Sequence, residues 1–270
     1  MSPTRLLKRQ LDGGLVFCEI TNEEDQAYAI LSHTWLTDNN EEVSFRDVEA
    51  GTGKSKAGWR KIQFCADQAA ADGLRYFWID TCCIDKSSSA ELSEAINSMF
   101  RWYREAAKCY VYLSDVSAGK HSQSSQLLRP RSFGQSRWFT RGWTLQELLA
   151  PRSVEFFSRD CKRLGDKSSL ERQIHEITGI PVDAFQGNLS QFSDNERMLW
   201  TKNRNTTKEE DQAYCLMGIF NVFLPVLYGE GKIHALERLR EAINRRSRSK
   251  LATLGTHSKR YTTNLRRKPE

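Results

Sequence analysis

The chain has 270 residues, of which 39% are hydrophobic and 27% are charged, and these proportions exclude a disordered protein. The formal net charge is +6, but residues 245–270 hold nine Lys or Arg and one acid, a balance of +8, so residues 1–244 carry −2. We therefore expect a near-neutral domain of residues 1–244 and a basic, flexible tail of residues 245–270.

Apolar runs bounded by polar residues predict three successive strands, at residues 28–35, 75–84 and 109–115. Between them, apolar residues three and four apart predict helices, at residues 55–72 and 88–106. The second helix begins with Ser88 and Glu91, which form the pattern of a capping box. This alternation predicts an α/β domain with a central parallel sheet.

The remaining segments predict a fourth strand and further helices. Residues 120–136 are polar and Ser-rich and predict a loop, whereas residues 153–157 predict a strand. Helices are expected at residues 143–149 and 168–178, and residues 195–246 are expected to be helical, with Gly229 and Gly231 dividing residues 214–227 from residues 233–243. The expected organisation is thus an α/β core over about 25–180 and a helical part over about 195–244.

Cysteine and histidine spacing bears on metals and on the cellular compartment. The seven cysteines include no Cys-x-x-Cys pair, and the five histidines lack zinc-site spacing. This pattern predicts free, buried thiols in a reducing compartment and no metal site. No signal-like stretch opens the chain, and its longest apolar run, residues 214–228, is shorter than the about 20 residues of a membrane span. We expect a cytoplasmic protein without a membrane span.

Four ordered sequence blocks resemble the HET (heterokaryon incompatibility) domain of filamentous fungi, at residues 28–35, 77–86, 137–151 and 206–231. The match is especially close to the N-termini of vegetative incompatibility proteins that carry a nucleotide-binding switch. Lys86 and Ala95 depart from it, because glutamine is common at both positions in the family. The resemblance implies a module that triggers regulated cell death on non-self recognition, with self-association and an NLR-type sensor partner.

HET domains are in turn similar to TIR domains, which implies a TIR-like, flavodoxin-like core with a parallel sheet flanked by helices. Several TIR relatives cleave NAD+ with one glutamate on a helix that follows a central strand, so NAD+ enters as a candidate substrate and no cofactor is expected. Nicotinamide leaves as a neutral ring, and one carboxylate can stabilise the oxocarbenium charge that develops on the ribose. The site is expected at the carboxyl ends of the parallel strands.

The resemblance makes Glu91 the first catalytic candidate and Glu94 the second. Glu91 can equally be a helix cap, and Glu94 faces away from the apolar stripe, which favours solvation. Substrate-binding candidates are the residues at the ends of the first two strands and three from the third block: Ser32, His33, Trp35, Asp80, Trp143, Gln146 and Glu147. We expect Ser32, His33 and Trp35 to face one cleft.

Two other functions remain open from the sequence. One is a non-enzymatic adaptor of the same fold that works by assembly alone. The other is nucleic-acid binding by the basic tail, which a plain solvated tail explains equally well and which we do not favour.

Overall fold

A computed structural model describes residues 3–10, 13–19, 27–118 and 133–264, with side chains up to residue 249. The described chain forms a seven-stranded sheet in the order β2-β1-β4-β3-β5-β6-β7. Its strands are β1 Arg5–Arg9, β2 Leu15–Glu19, β3 Tyr28–His33, β4 Tyr76–Trp78, β5 Lys108–Leu113, β6 Val154–Ser158 and β7 Arg163–Asp166.

The four central strands are parallel, as predicted. Strand β3 pairs with β4 on one side and β5 on the other, and β5 pairs with β6. In chain order these four strands lie 2-1-3-4, which is the order that begins flavodoxin-like folds. All six residues of β3 are buried because helices cover both faces of the central sheet. The predicted α/β class, with its central parallel sheet, is confirmed.

The helices are α1 Phe45–Glu49, α2 Trp59–Ala71, α3 Ser89–Glu105, α4 Thr144–Leu149, α5 Glu171–Thr178, α6 Asp194–Leu199, α7 Asp211–Tyr214, α8 Met217–Phe220 and α9 Gly231–Asn264. Helix α3 packs through its apolar stripe, which buries Ile96, Met99 and Tyr103. The Tyr103 hydroxyl donates a hydrogen bond of 2.9 Å to the Leu31 carbonyl, which ties α3 to β3.

Three strands were not predicted, and one was predicted too long. Strands β1, β2 and β7 are short and antiparallel and extend the sheet at its two edges. The run at residues 75–84 forms a strand only over Tyr76–Trp78. Beyond it the chain turns, and the amide of Cys83 donates to the Ile79 carbonyl at 2.8 Å. The apolar residues after Trp78 are buried in that turn. A buried turn and a buried strand have the same hydropathy, so the sequence pattern did not separate them.

The helical C-terminal part is confirmed, but residues 221–227 of the expected helix 214–227 are irregular. Short helices α6 to α8 lead into an irregular segment over residues 221–230, and α9 follows. The expected boundary at residue 244 lies inside α9. Side chains beyond residue 249 and most of the predicted loop at 120–136 lie outside the described residues, so the flexible tail stays a prediction.

Candidate functional site

The carboxyl ends of β3 and β4 bring three of the predicted binding residues together. His33 ends β3, Trp35 follows it, and Asp80 lies two residues beyond β4. The chain passes from β3 to β4 on one side and later to β5 on the other, so this edge is the topological switch point of the sheet. Open α/β sheets bind ligands in the crevice at such a point.

Asp80 is the centre of this group. One carboxylate oxygen lies 2.9 Å from His33 Nε2, and the other accepts a hydrogen bond of 2.8 Å from Trp35 Nε1. Burial alone would raise the pKa of Asp80, but His33, Lys86 and the Trp35 hydrogen bond outweigh it, and the pKa lies well below its ordinary value. The Asp80 side chain is 23% exposed. It therefore presents an ionised carboxylate at an accessible edge.

A buried ion pair supports His33 from behind. Lys61 Nζ lies 3.0 Å from His33 Nδ1 and also donates to the carboxylate of Glu42. Because an ammonium only donates, Nδ1 accepts and the imidazole proton is on Nε2, facing Asp80. Both ring nitrogens are then engaged. His33 is thus suited to orienting Asp80 and not to acting as a general base.

Lys61 and Glu42 are both almost completely buried. Burial lowers the pKa of Lys61, and the Glu42 charge opposes that effect. Glu42 also accepts the Leu36 amide at 2.7 Å. A Cβ on Gly58, the N-cap of α2, would lie 2.8 Å from the Glu41 carbonyl oxygen and 3.0 Å from the second Glu42 oxygen, so the close approach of residues 41–42 to the start of α2 requires glycine there.

The outer end of the group is open to solvent. Trp35 is 37% exposed, and Lys86 Nζ lies 4.1 Å from the centre of the Trp35 indole ring. The same ammonium donates to the Thr81 carbonyl at 3.4 Å. An aromatic face and the Lys86 ammonium thus border the Asp80 carboxylate, which is a suitable setting for a charged ligand with a flat ring.

Glu91, the first catalytic candidate, is held in a bidentate ion pair. Arg5 from β1 contacts its two oxygens at 2.6 and 3.2 Å, and the Asp85 amide donates to it at 2.7 Å. The Arg5 guanidinium also lies 4.6 Å from the centre of the Phe45 ring. The Glu91 carboxylate is therefore neutralised by a neighbour from the N-terminal hairpin.

The predicted capping box is only half formed. Ser88 accepts the Glu91 amide at 3.3 Å, but the Glu91 side chain reaches the Asp85 amide instead of that of Ser88. The Ser88 amide donates to the Asp85 carbonyl because the chain turns there. Glu94, the second candidate, is exposed on α3, as its position on the helical wheel predicted.

Ser32 and Glu147 lie in a separate, buried cluster, so the expectation that Ser32 shares a cleft with His33 is wrong. Successive side chains of a strand point to opposite faces. Trp138 Nε1 donates to Ser32 Oγ at 2.7 Å, and Ser32 Oγ donates to Glu147. Burial raises the pKa of Glu147 to about 8.

The other two binding candidates from residues 137–151, Gln146 and Trp143, are also in contact with other parts of the protein. Gln146 is buried beside Glu147 in α4, and its Nε2 has no hydrogen-bond partner among the described residues. Trp143 Nε1 donates to Asp211 at 3.0 Å, and the Tyr228 hydroxyl donates to the same carboxylate at 3.0 Å. Trp143 thus links residues 137–151 to residues 206–231, the third and fourth sequence blocks of the HET resemblance.

Glu147 predicts a pH dependence of stability. Its pKa is about 8 in the folded protein against an ordinary 4.5, so the folded state holds the proton more tightly. Its contribution to stability is complete below the unfolded pKa and is lost as the pH rises toward the folded one. We expect the free energy of unfolding, relative to Glu147→Gln, to fall by roughly 3 kcal/mol between about pH 5 and about pH 8. Urea denaturation at both pH values measures it, and a constant difference would contradict the prediction.

Sequence reasoning missed Arg5, Glu42 and Lys61. Lys61 is four residues before Cys65 and eight before Ala69, so a charge on the apolar stripe of α2 was the available signal. Arg5 and Glu42 carried no comparable signal.

Among the described residues, no helix is long and apolar enough to cross a membrane, and no group of three or more His, Cys, Asp and Glu is placed to hold a metal.

Comparison with known proteins identifies the family. Residues 28–133, which contain the edge cluster of His33, Trp35 and Asp80, match the model of the heterokaryon incompatibility protein (HET) family. The chain is 63% identical over 219 residues to the vegetative incompatibility protein HET-E-1 of Podospora anserina, and the match covers 81% of this chain and 16% of that protein. No solved structure matches significantly. The chain therefore belongs to the heterokaryon incompatibility (HET) family.

Proposed function

We propose that this chain acts in fungal vegetative incompatibility, as an effector module that triggers regulated cell death on non-self recognition. The observation that carries the proposal is its 63% identity over 219 residues to a vegetative incompatibility protein. The match covers only 16% of that protein, so we assign the sensing step to sequence outside the matched residues. The module would self-associate in the cytoplasm when an NLR-type sensor engages it.

Inducible expression in a filamentous fungus tests the proposal. We expect cell death, measured by uptake of a membrane-impermeant dye, when the chain is expressed as a fusion to a tetrameric coiled coil. Gly218→Ala is the fold-disrupting control, because its Cβ would lie 2.0 Å from Phe100 Cβ. Full viability of cells that express the folded fusion would contradict the proposal, and so would equal killing by the control.

We further propose that the domain is TIR-like and cleaves NAD+ at the carboxyl edge of the sheet. In that reaction the bond from ribose C1′ to nicotinamide N1 breaks, and its electron pair leaves with neutral nicotinamide. Water adds to C1′ and releases a proton, so the products are nicotinamide, ADP-ribose and H+. The ionised Asp80 beside the exposed indole of Trp35 supports this proposal, since a carboxylate stabilises the oxocarbenium charge.

Asp80 needs less rearrangement for this role than Glu91 does. Glu91 would first have to lose Arg5, which contacts both of its oxygens. Asp80 accepts one N–H group at each of its two oxygens and keeps lone pairs for ribose hydroxyls. We therefore propose Asp80 as the carboxylate that faces the substrate and keep Glu91 as the second candidate, ahead of Glu94.

Nicotinamide release from purified protein, with and without the tetrameric fusion, tests the reaction.

The second candidate function is the non-enzymatic adaptor, and the engagement of both His33 nitrogens and of Glu91 favours it. Cell death without nicotinamide release would establish the adaptor and reject the hydrolase.

A further inference from the structure

An apolar strip faces solvent between α8 and α9. In this segment Val222 and Leu224 are 7% and 5% exposed, whereas Phe223 and Leu227 are 68% and 51% exposed. Pro225 is exposed as well. Alternate residues of an extended segment point to opposite sides, so Phe223, Pro225 and Leu227 project outward together. We call these three residues the apolar strip.

Packed elements hold the strip in this position. Asn97 of α3 bonds both the amide and the carbonyl of Leu224, at 3.2 and 3.1 Å. The Tyr214 hydroxyl accepts the Leu227 amide at 2.9 Å, and Arg238 of α9 donates to the Pro225 carbonyl at 2.6 Å. The outward direction of the apolar side chains is therefore fixed by three helices. The exposure of the apolar strip is therefore set by the fold.

Positive charge adjoins the strip. Residues 232–249, the part of this stretch whose side chains the structure describes, contain six Lys or Arg and two Glu, a balance of +4. In the described part of α9, the exposed basic residues are Lys232, Arg240, Arg245 and Arg248, and the exposed acidic residues are Glu237 and Glu241. Ile233, in the first turn of the same helix, is 71% exposed. Exposed apolar and basic side chains thus occur on one continuous stretch of chain.

The kind of partner follows from this combination. A second copy of the chain would bring two helices of net positive charge together, and like charges oppose that contact. A nucleic acid would match the charge, but Leu227 and Ile233 cannot stack on bases. A bilayer with anionic lipids matches both features, because its headgroups attract Arg and Lys while its interface accepts apolar side chains.

We propose that the apolar strip, Ile233 and the exposed basic residues of α9 (Lys232, Arg240, Arg245 and Arg248) form a peripheral binding surface for membranes that contain anionic lipid. The strip and Ile233 enter the headgroup region, and the basic residues pair with lipid phosphates and carboxylates. Binding of this kind would bring the domain to a membrane without spanning it, and it is independent of the edge cluster and of NAD+ cleavage.

Cosedimentation with vesicles tests the proposal. We expect the chain to bind phosphatidylserine–phosphatidylcholine vesicles at least about tenfold more tightly than pure phosphatidylcholine vesicles at 0.1 M salt. Phe223→Ser/Leu227→Ser/Ile233→Ser should weaken binding by about tenfold or more, and so should Arg240→Gln/Arg245→Gln/Arg248→Gln. Val16→Ser, at the 37% exposed Val16 on the edge strand β2, is the matched control and should bind normally.

Circular dichroism checks that each variant is folded, and Phe223→Ser alone gives the same test with a smaller perturbation. Failure of the unaltered chain to bind the anionic vesicles would overturn the proposal. Unchanged binding by folded strip variants would also overturn it, since charge alone would then hold the chain on lipid. Tighter binding to a polynucleotide than to the vesicles would assign the surface to nucleic acid instead.

Discussion

Replacing Asp80 by Asn is expected to lower the rate of NAD+ cleavage by at least about a hundredfold. Asparagine keeps the shape of the side chain and one acceptor oxygen, but it removes the charge that would stabilise the oxocarbenium ion. It also loses one of the two hydrogen bonds from His33 and Trp35, at a cost of about 1 kcal/mol. The domain should therefore stay folded, which thermal unfolding checks.

Glu91→Gln and Glu94→Gln complete the comparison. Glu91→Gln breaks the ion pair with Arg5 at the start of α3 and should lower activity less than Asp80→Asn does. Glu94→Gln changes an exposed side chain and should have no effect. A folded Asp80→Asn protein with full activity, beside an inactive Glu91→Gln protein, would move the chemistry to Glu91. An Asp80→Asn protein that still kills cells but no longer releases nicotinamide would favour the adaptor.

Replacing Lys61 by Met is expected to lower the free energy of unfolding by roughly 3–5 kcal/mol. Methionine fills a similar volume, but it leaves the carboxylate of Glu42 buried without its cation and His33 Nδ1 without its donor. The double variant Lys61→Met/Glu42→Gln removes the uncompensated charge and should recover most of the loss. Urea denaturation measures the three proteins under one condition.

An exposed ion pair supplies the control for Lys61. Arg172 and Glu176 pair at 3.1 Å on α5, with side chains 91% and 62% exposed. Water and salt screen such pairs, so Arg172→Met should change stability little. A Lys61→Met loss no larger than this control, or a double variant no more stable than Lys61→Met, would show that the Lys61–Glu42 pair does not hold the site.

Much of the central fold could be predicted because its elements have clear hydrophobic periods. Strand β3 is a continuous apolar run, and α2 and α3 have apolar residues at helical spacing. The edge strands lacked such a signal. In β1 only Leu6 and Leu7 are buried, between charged residues, and its partner at Phe77 lies far along the chain. Strands specified by distant pairing rather than by their own pattern are not visible in a local window.

The site was predictable where strand ends alone determine it. His33, Trp35 and Asp80 meet because parallel strands end at one edge of the sheet. The period of two along a strand would also have separated Ser32 from His33. The contact between Arg5 and Glu91 depends on the register of β1, an unpredicted strand, so the sequence offered no means to foresee it.

The start of α9 has a mechanical consequence. One carboxylate oxygen of Glu210 accepts the amides of Gly229 and Gly231, at 2.8 and 3.2 Å, and this clamp sets the direction in which the helix leaves the domain. Ala235, Leu239 and Ile243 then bury one face of the helix against the domain, so the clamp and this packing together fix its direction. A 34-residue helix is about 50 Å long, so a rotation of about 5° about its first turn displaces its far end by about 4 Å. A change that loosens both the Glu210 clamp and this packing is thereby amplified into a movement about as large as the diameter of a methyl group.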